Sequence, residues 1–209
     1  MEIDPLFKKR IVEGLYGIGA IKIGSFKLKS GDMSPFYIDL RLVPSYPKVF
    51  AMVNEAYARK FEDIFGKKRD LLIGGIMSAG IPFATALCLK YGLPLLQIRS
   101  EPKKHGTGKL IEGKELTKGD EVLLVDDLIS TGASKIKPKQ AIEEGGGKVN
   151  HLLVLIDRTS ETTKFVVEES GMQLHSVLNL ADMVEILKDS NQISKEEFNS
   201  IKSAVTDWV

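Results

Sequence analysis

The chain has 209 residues, a length suited to one α/β domain with a small elaboration, since about 100 to 200 residues per domain is usual. Apolar residues make up 43% and charged residues 27%, which excludes a disordered or fibrous chain. A formal net charge of +1 gives no overall pull toward nucleic acid or an anionic membrane.

The opening residues, MEIDPLFKKR, carry charges of both signs and no apolar h-region, and no stretch reaches the ~18 apolar residues of a membrane span. A cytoplasmic protein is expected. Asp4-Pro5 supplies an N-cap and a first-turn proline, and Leu6, Phe7, Ile11 and Leu15 recur at helical spacing until Gly17 and Gly19 stop the pattern. Residues 25–42 alternate as two strands joined by a glycine-containing turn, which predicts a small hairpin lobe. Pro47 then opens an amphipathic helix with Val49, Met52, Val53, Ala56, Tyr57, Phe61 and Ile64 on one stripe, and Gly66 ends it.

A βα rhythm follows. Apolar runs at 71–73, 93–98, 121–125, 151–156 and 176–180 alternate with helical segments, as parallel strands covered on both faces do. The fold class is α/β, a doubly wound parallel sheet, and a last helix over 194–208 carries Ser194 and Glu197 at capping-box spacing. No internal repeat, low-complexity tract or interdomain linker divides the chain, so 1–209 reads as a single domain. Cys88 lies in the apolar run 84–89 and reads as a buried structural thiol, and one cysteine supports neither a disulfide framework nor a zinc cluster. His151 and His175 fall in strand patterns and read as structural.

Ligands of open parallel sheets bind beyond the carboxyl ends of the strands, and those segments are polar and glycine-rich here. After residue 73 comes Gly74-Gly75-Ile76-Met77-Ser78-Ala79-Gly80, small residues that leave backbone N–H groups for an anion. After 98 comes a basic loop with glycine hinges, Arg99 to Lys109, holding Lys103, Lys104, His105, Gly106 and Gly108. After 125 come Asp126, Asp127, Leu128, Ile129, Ser130, Thr131, Gly132, Ala133 and Ser134, and after 156 comes Asp157-Arg158. In the third segment the N–H groups and hydroxyls of the turn, at a positive helix end, suit a phosphate monoester. The two carboxylates suit vicinal hydroxyls or a hydrated Mg²⁺. Phosphate and diol together describe a ribose 5-phosphate.

An apolar strand ending in two aspartates also occurs in Walker B strands, but the nearest Walker A spacing, Gly108 to Lys114, has Glu115 where Mg²⁺ needs Ser or Thr, and no strand feeds it. A lone basic loop is usually a solvated turn. Its place beside two other anion sites makes it a functional candidate.

The segment 122–134, VLLVDDLISTGAS, closely resembles the signature for 5-phosphoribosyl 1-pyrophosphate (PRPP) of the type I phosphoribosyltransferases. Residues 25–46 (SFKLKSGDMSPFYIDLRLVPSY), 99–113 (RSEPKKHGTGKLIEG) and 155–158 (LIDR) resemble the corresponding segments of orotate phosphoribosyltransferases, so the likeness spans nearly the whole chain. It implies Mg²⁺-dependent transfer of a phosphoribosyl group from PRPP to orotate, in the route to UMP. Residues 1–45 would form most of an N-terminal hood on the orotate side. Lys29, Tyr37, Ile38, Ser130 and Arg158 would meet orotate. Ser78, Ala79 and Gly80, with Arg99, Lys103, Lys104 and His105 on a mobile catalytic loop, would hold the pyrophosphate end, and Asp126 to Ser134 the ribose and its phosphate. Arg99, Lys103, His105, Asp126 and Asp127 would be the catalytic set. The metal would arrive on PRPP and could meet Asp126 and Asp127, and the unit would be a homodimer whose loop crosses to the neighbour's site.

Three positions depart from the family pattern. Ser100 stands where many relatives have lysine, Ala79 where some bacterial members do, and Thr159-Ser160-Glu161-Thr162 lacks the usual glycines. Rival functions are transfer to another nucleobase, against which Lys29 and the Lys-Lys-His loop speak, and a non-catalytic PRPP sensor, for which no basic extension is present.

Overall fold

The computed structural model describes residues 3–27, 31, 33–99 and 110–204. Helix α1 (Pro5–Gly17) begins at Asp4, whose Oδ1 accepts from the Leu6 N–H at 3.3 Å, and buries Ile11, Val12 and Leu15. Strands β1 (Ile21–Lys27) and β2 (Met33–Ile38) form a separate antiparallel pair, with Ile21 opposite Ile38 and Ile23 opposite Phe36. The hairpin thus lies earlier than the expected 25–42. Gly24 sits at a register shift between Ile23 and Phe26, which hides the start of β1 from an alternation count. Asp39 ends β2 by accepting from the Arg41 N–H at 3.2 Å, so the chain turns into a 3-10 helix, Leu40–Ser45.

Helix α2 (Pro47–Phe65) buries Val53, Ala56, Tyr57, Ala58 and Phe61 and stops at Gly66. There follow β3 (Leu72–Ile76), α3 (Ile81–Tyr91), β4 (Leu95–Ile98), β5 (Ile111–Glu112), β6 (Glu121–Ile129), α4 (Ala133–Glu144), β7 (Lys148–Asp157), α5 (Glu161–Glu169), β8 (Gln173–Asn179), α6 (Leu180–Asp189) and α7 (Lys195–Ala204). The main sheet has the order β5-β4-β3-β6-β7-β8, parallel throughout except for β5, which pairs antiparallel with β4. That edge ribbon was not foreseen, because two residues of strand leave no alternation to read.

Alternate residues of β6 feed two cores. Leu123 and Val125 pack with Tyr57, Phe61, Phe83, Leu87, Met183, Leu187 and Phe198 from α2, α3, α6 and α7. Val122 and Leu124 pack on the other face with Ile142 of α4 and Val167 of α5. The sheet is therefore doubly wound. Ile21, Phe36, Ile38 and Leu40 join the first core, so the hairpin is seated on that face, where α7 packs against β2. At α7 the Ser194 Oγ accepts from the Glu197 N–H at 3.1 Å while Glu197 Oε2 accepts from the Ser194 N–H at 2.7 Å, the expected capping box. Residues 205–208 of the expected helix lie outside the described residues.

Two strands run past their expected ends. Gly74 and Gly75 belong to β3 rather than to an anion loop. A Cβ at Gly74 would come within 2.7 Å of Ile98 Cδ1, and one at Gly75 within 2.8 Å of Ala84 Cβ, so bare backbone lets a neighbouring strand and α3 close in. Strand β6 continues through Asp126, Asp127, Leu128 and Ile129 because β7 extends beside it, pairing Asp126 with Val154 and Ile129 with Asp157.

Candidate active site

From β3 the chain moves outward to β4 and β5, and from β6 the other way to β7 and β8, so the winding reverses between β3 and β6. The carboxyl ends of these two strands flank the crevice in which such sheets bind ligands. A separate cavity of about 380 Å³ lies at the opposite end, against Lys68, Leu72, Lys114 and Glu121. Four of its charges pair with one another, Lys68 with Glu121 and Lys114 with Asp120, and it lies away from the switch point.

The turn after β3 holds Ser78, exposed, with Ala79 and Gly80, and its Met77–Ser78 peptide is cis. Gly80 is required by contact. A Cβ there would lie 2.5 Å from the Val125 carbonyl oxygen and 2.9 Å from the Asp126 Cα, so only glycine lets this turn rest on the end of β6. The anion loop is thereby shortened to 77–80 and set directly against the acidic pair.

At the end of β6 the two aspartates differ. Asp126 is 5% exposed; its Oδ2 takes the Lys135 ammonium, its Oδ1 accepts from the Asp127 N–H at 2.9 Å, and its carbonyl accepts from the Tyr57 hydroxyl at 2.6 Å. Asp127 is only half-buried. Its Oδ1 accepts from the Leu128 N–H at 2.7 Å, and among the described residues it forms no ion pair. Burial first, and the nearby Asp126 carboxylate second, hold the Asp127 carboxyl well above the usual carboxylate range. Of the two carboxylates expected at the ribose, Asp126 is engaged by a buried cation. Burial, with the two aspartates adding to it, likewise keeps the Tyr57 hydroxyl protonated, as a donor must be.

Ser130 and Thr131 are exposed in the turn that follows. Gly132, at φ 73, sits in the left-handed region that favours glycine, and as N-cap of α4 it supplies no side-chain acceptor. The N–H groups at the start of α4, at Ala133 and Ser134, therefore face an open helix end. Ile129 is fully buried and Leu128 partly so; what Ile129 offers is its carbonyl, which accepts from the Arg158 N–H at 2.9 Å. This bond ties the fourth segment to the third.

Arg158 lies with its guanidinium carbon 4.8 Å from the centroid of Phe36, and its buried Nε finds no hydrogen-bond partner among the described residues. Burial lowers its pKa, and among the described residues no counter-charge offsets that. Asp157 Oδ1 accepts from both the Thr159 N–H at 2.8 Å and the Thr159 hydroxyl at 2.7 Å, so this threonine organises the segment around Arg158. In the hairpin Tyr37 is partly exposed and Arg41 reaches its hydroxyl at 3.5 Å while pairing with Asp39. The Ile38 side chain is 7% exposed and belongs to the core, so only its backbone can meet a ligand.

Arg99 stands at the mouth of the basic loop. Its Nε and Nη2 each lie 3.0 Å from Glu112 Oε1, and its N–H donates to the Leu110 carbonyl at 2.9 Å. The β4-β5 ribbon thus pins both ends of the loop, and β5 runs through the Walker-like segment Gly108 to Lys114. Lys29, Ser100, Lys103, Lys104 and His105 lie outside the described residues.

Sequence reasoning missed Lys135, Tyr57, Arg41 and Glu112. A lysine in the first turn of a helix, where the dipole disfavours cations, was the one legible signal among them. His151 and His175 are structural as expected, with Nδ1 of one and Nε2 of the other 3.0 Å apart. The Cys88 thiol is buried and pushed up to about 11 by that burial.

Residues 44–167 match the phosphoribosyl transferase domain family. An orotate phosphoribosyltransferase of Pyrobaculum islandicum is 36% identical over 198 residues, covering 95% of this chain and 99% of that one. The solved orotate phosphoribosyltransferase of Aeropyrum pernix superposes with a TM-score of 0.71 at 28% identity, over 88% of this chain and 99% of its own. UMP synthase of Leishmania donovani superposes with a TM-score of 0.82 at 29% identity, over 97% of this chain but 43% of that longer one.

Proposed function

Because the chain belongs to the orotate phosphoribosyltransferases, we propose that its switch-point crevice moves the 5-phosphoribosyl group of PRPP onto N1 of orotate, giving orotidine 5′-monophosphate and pyrophosphate. The observation that carries the choice of base is Arg158. A largely buried guanidinium whose Nε has no hydrogen-bond partner among the described residues, beside Phe36 and the Tyr37 lobe, calls for a flat ring bearing an anion, and orotate meets both needs. Lys29 adds charge on that side in the family likeness.

In this reading the open start of α4, with Ser130, Thr131 and Ser134, takes the 5-phosphate. Asp127 faces the ribose hydroxyls, and Ser78, Ala79 and Gly80 cradle the pyrophosphate. Nucleophilic attack on C1 proceeds with inversion through an oxocarbenium-like state, so the main electrostatic task is to stabilise the departing pyrophosphate. Arg99, Lys103, Lys104 and His105 supply cations on a loop whose closure excludes water. Among the described residues no group of three His, Cys, Asp or Glu side chains could hold a metal by itself. A Mg²⁺ carried on PRPP would meet Asp127 as the carboxylate without an ion pair among the described residues, and it would neutralise charge on the leaving group.

We further propose that 1–209 works as one domain with 1–45 as its hood, in the cytoplasm, as a homodimer whose loop completes the partner's site. Among the described residues no helix is long and apolar enough to cross a membrane. The test is incubation with PRPP, Mg²⁺ and a panel of bases while pyrophosphate is measured. Orotate should be consumed and uracil rejected by about 10⁴-fold, since uracil leaves Arg158 unpaired. Comparable turnover of uracil or a purine would overturn the assignment, and PRPP binding without turnover of any base would make the protein a sensor.

A further inference from the structure

The acidic pair of the ribose site has a resident cation. Lys135 and Asp126 form an ion pair with both side chains 7% exposed, and Lys135 holds its place in the first turn of α4 through its N–H to the Gly132 carbonyl at 2.9 Å. A lysine there faces the positive end of the helix and loses its water, so it persists only where a carboxylate answers it. Asp126 is buried and held at three further points. Tyr57 of α2 donates to its carbonyl, Gly80 of the pyrophosphate turn abuts its Cα, and the Asp127 N–H occupies its Oδ1. To reach a ligand, the Asp126 carboxylate would have to abandon the ammonium and leave a lone buried charge on α4, which strongly destabilises a fold. Asp127 also accepts one backbone N–H, from Leu128, but among the described residues it has no ion pair to give up.

We propose that Lys135 is a positioning residue that withholds Asp126 from the substrate, leaving Asp127 as the single carboxylate that meets the ribose hydroxyls. This rests on the PRPP reading of the crevice and assigns unequal tasks to the two aspartates within it. Lys135 also keeps a positive charge behind the site, which offsets the Asp126 carboxylate and makes the acidic pair less negative toward Mg²⁺ and PRPP than two carboxylates alone.

The test is a cycle of Asp126→Asn, Lys135→Met and the double variant, with Asp127→Asn alongside, all read as kcat and KM for PRPP in the orotate reaction and checked for folding by circular dichroism. Breaking the pair from either side strands a buried charge and should cost about 30-fold or more in kcat/KM, while the double variant should return to within about tenfold of wild type. Asp127→Asn should lose about 30-fold or more, and adding Lys135→Met should not restore it. A double variant as impaired as Asp126→Asn alone means that Asp126 itself touches substrate, and the proposal falls. Should the double variant not fold, the wild type decides by NMR of its lysine ammonium groups, with the Lys135 signal assigned through Lys135→Arg. That signal should persist unshifted when Mg²⁺ and PRPP are added, and its loss or displacement would overturn the proposal. A wild type that releases no pyrophosphate from PRPP and orotate condemns the functional reading instead, before any variant is compared.

Discussion

Replacing Arg158 by methionine should separate function from stability in opposite directions. In the free protein the guanidinium is buried with Nε unpaired, its described compensation being the Phe36 ring at 4.8 Å. Such a cation–π contact is worth about 0.5–2 kcal/mol. Exchanging buried ionic groups for apolar residues of similar volume is often stabilising, by roughly 1–4 kcal/mol. The balance favours Arg158→Met by about 1 kcal/mol, or roughly 2–4 °C for a chain of this size. With orotate bound the balance reverses, because truncating one partner of a buried charge pair costs about 2–5 kcal/mol. At ~1.4 kcal/mol per decade that is a loss of about 30-fold to 5000-fold in kcat/KM for orotate, with KM for PRPP changed less than about threefold. Steady-state pyrophosphate release and thermal melting, each with and without orotate, check both halves. Orotate should raise the melting temperature of the wild type and leave that of the variant nearly unmoved. A variant that melts several degrees lower yet keeps its orotate kinetics would show that Arg158 is a packing residue, and the argument for an anionic base would collapse.

Lys103→Ala or His105→Ala should lower kcat by about 100-fold while changing PRPP affinity less than about fivefold, because their contacts strengthen as charge reaches the leaving group; unchanged kcat in stopped-flow and steady-state assays would reduce the loop to a solvated turn. If loops cross between subunits, mixing Lys103→Ala with Asp127→Asn chains should restore about a quarter of wild-type activity, since random exchange makes about half the dimers mixed and one of their two sites intact. Demonstrated exchange with no recovery assigns each loop to its own subunit. Burial first, and the facing His151 second, push His175 down to about 4. Its folded value lies below its unfolded one of ~6.5, so the unfolded chain takes up the proton first; stability is complete above ~6.5, declines as pH falls, and levels below about 4. Discounted for the partial exposure of the ring, the loss should be roughly 1–2 kcal/mol. Melting curves from pH 8 to 4 should show this decline in the wild type and a flatter one in His175→Leu.

The architecture was legible wherever a local rule acts alone. Apolar runs fed by helical stripes announced a parallel sheet covered on both faces, Asp4-Pro5 and Ser194 with Glu197 marked helix starts, and the polar segments after each run located the crevice. The thirteen residues 122–134 carried the resemblance to the family's PRPP signature in their types and order. What alternation could not reveal depends on neighbours distant in the chain. Strand β6 runs on through the aspartates because β7 is there to pair with it, and Gly74, Gly75 and Gly80 serve close approach of other elements as well as local freedom. Arg158 and Phe36, 122 positions apart in number, meet only when the hairpin seats on the sheet, so the cation proposed to select the base is placed by packing. The two aspartates are identical in sequence and differ in the fold. A lysine nine residues on, turned inward by the first turn of α4, pairs with one, while the other has no ion pair among the described residues, because a charge inside a protein must find its partner wherever the chain happens to bring one.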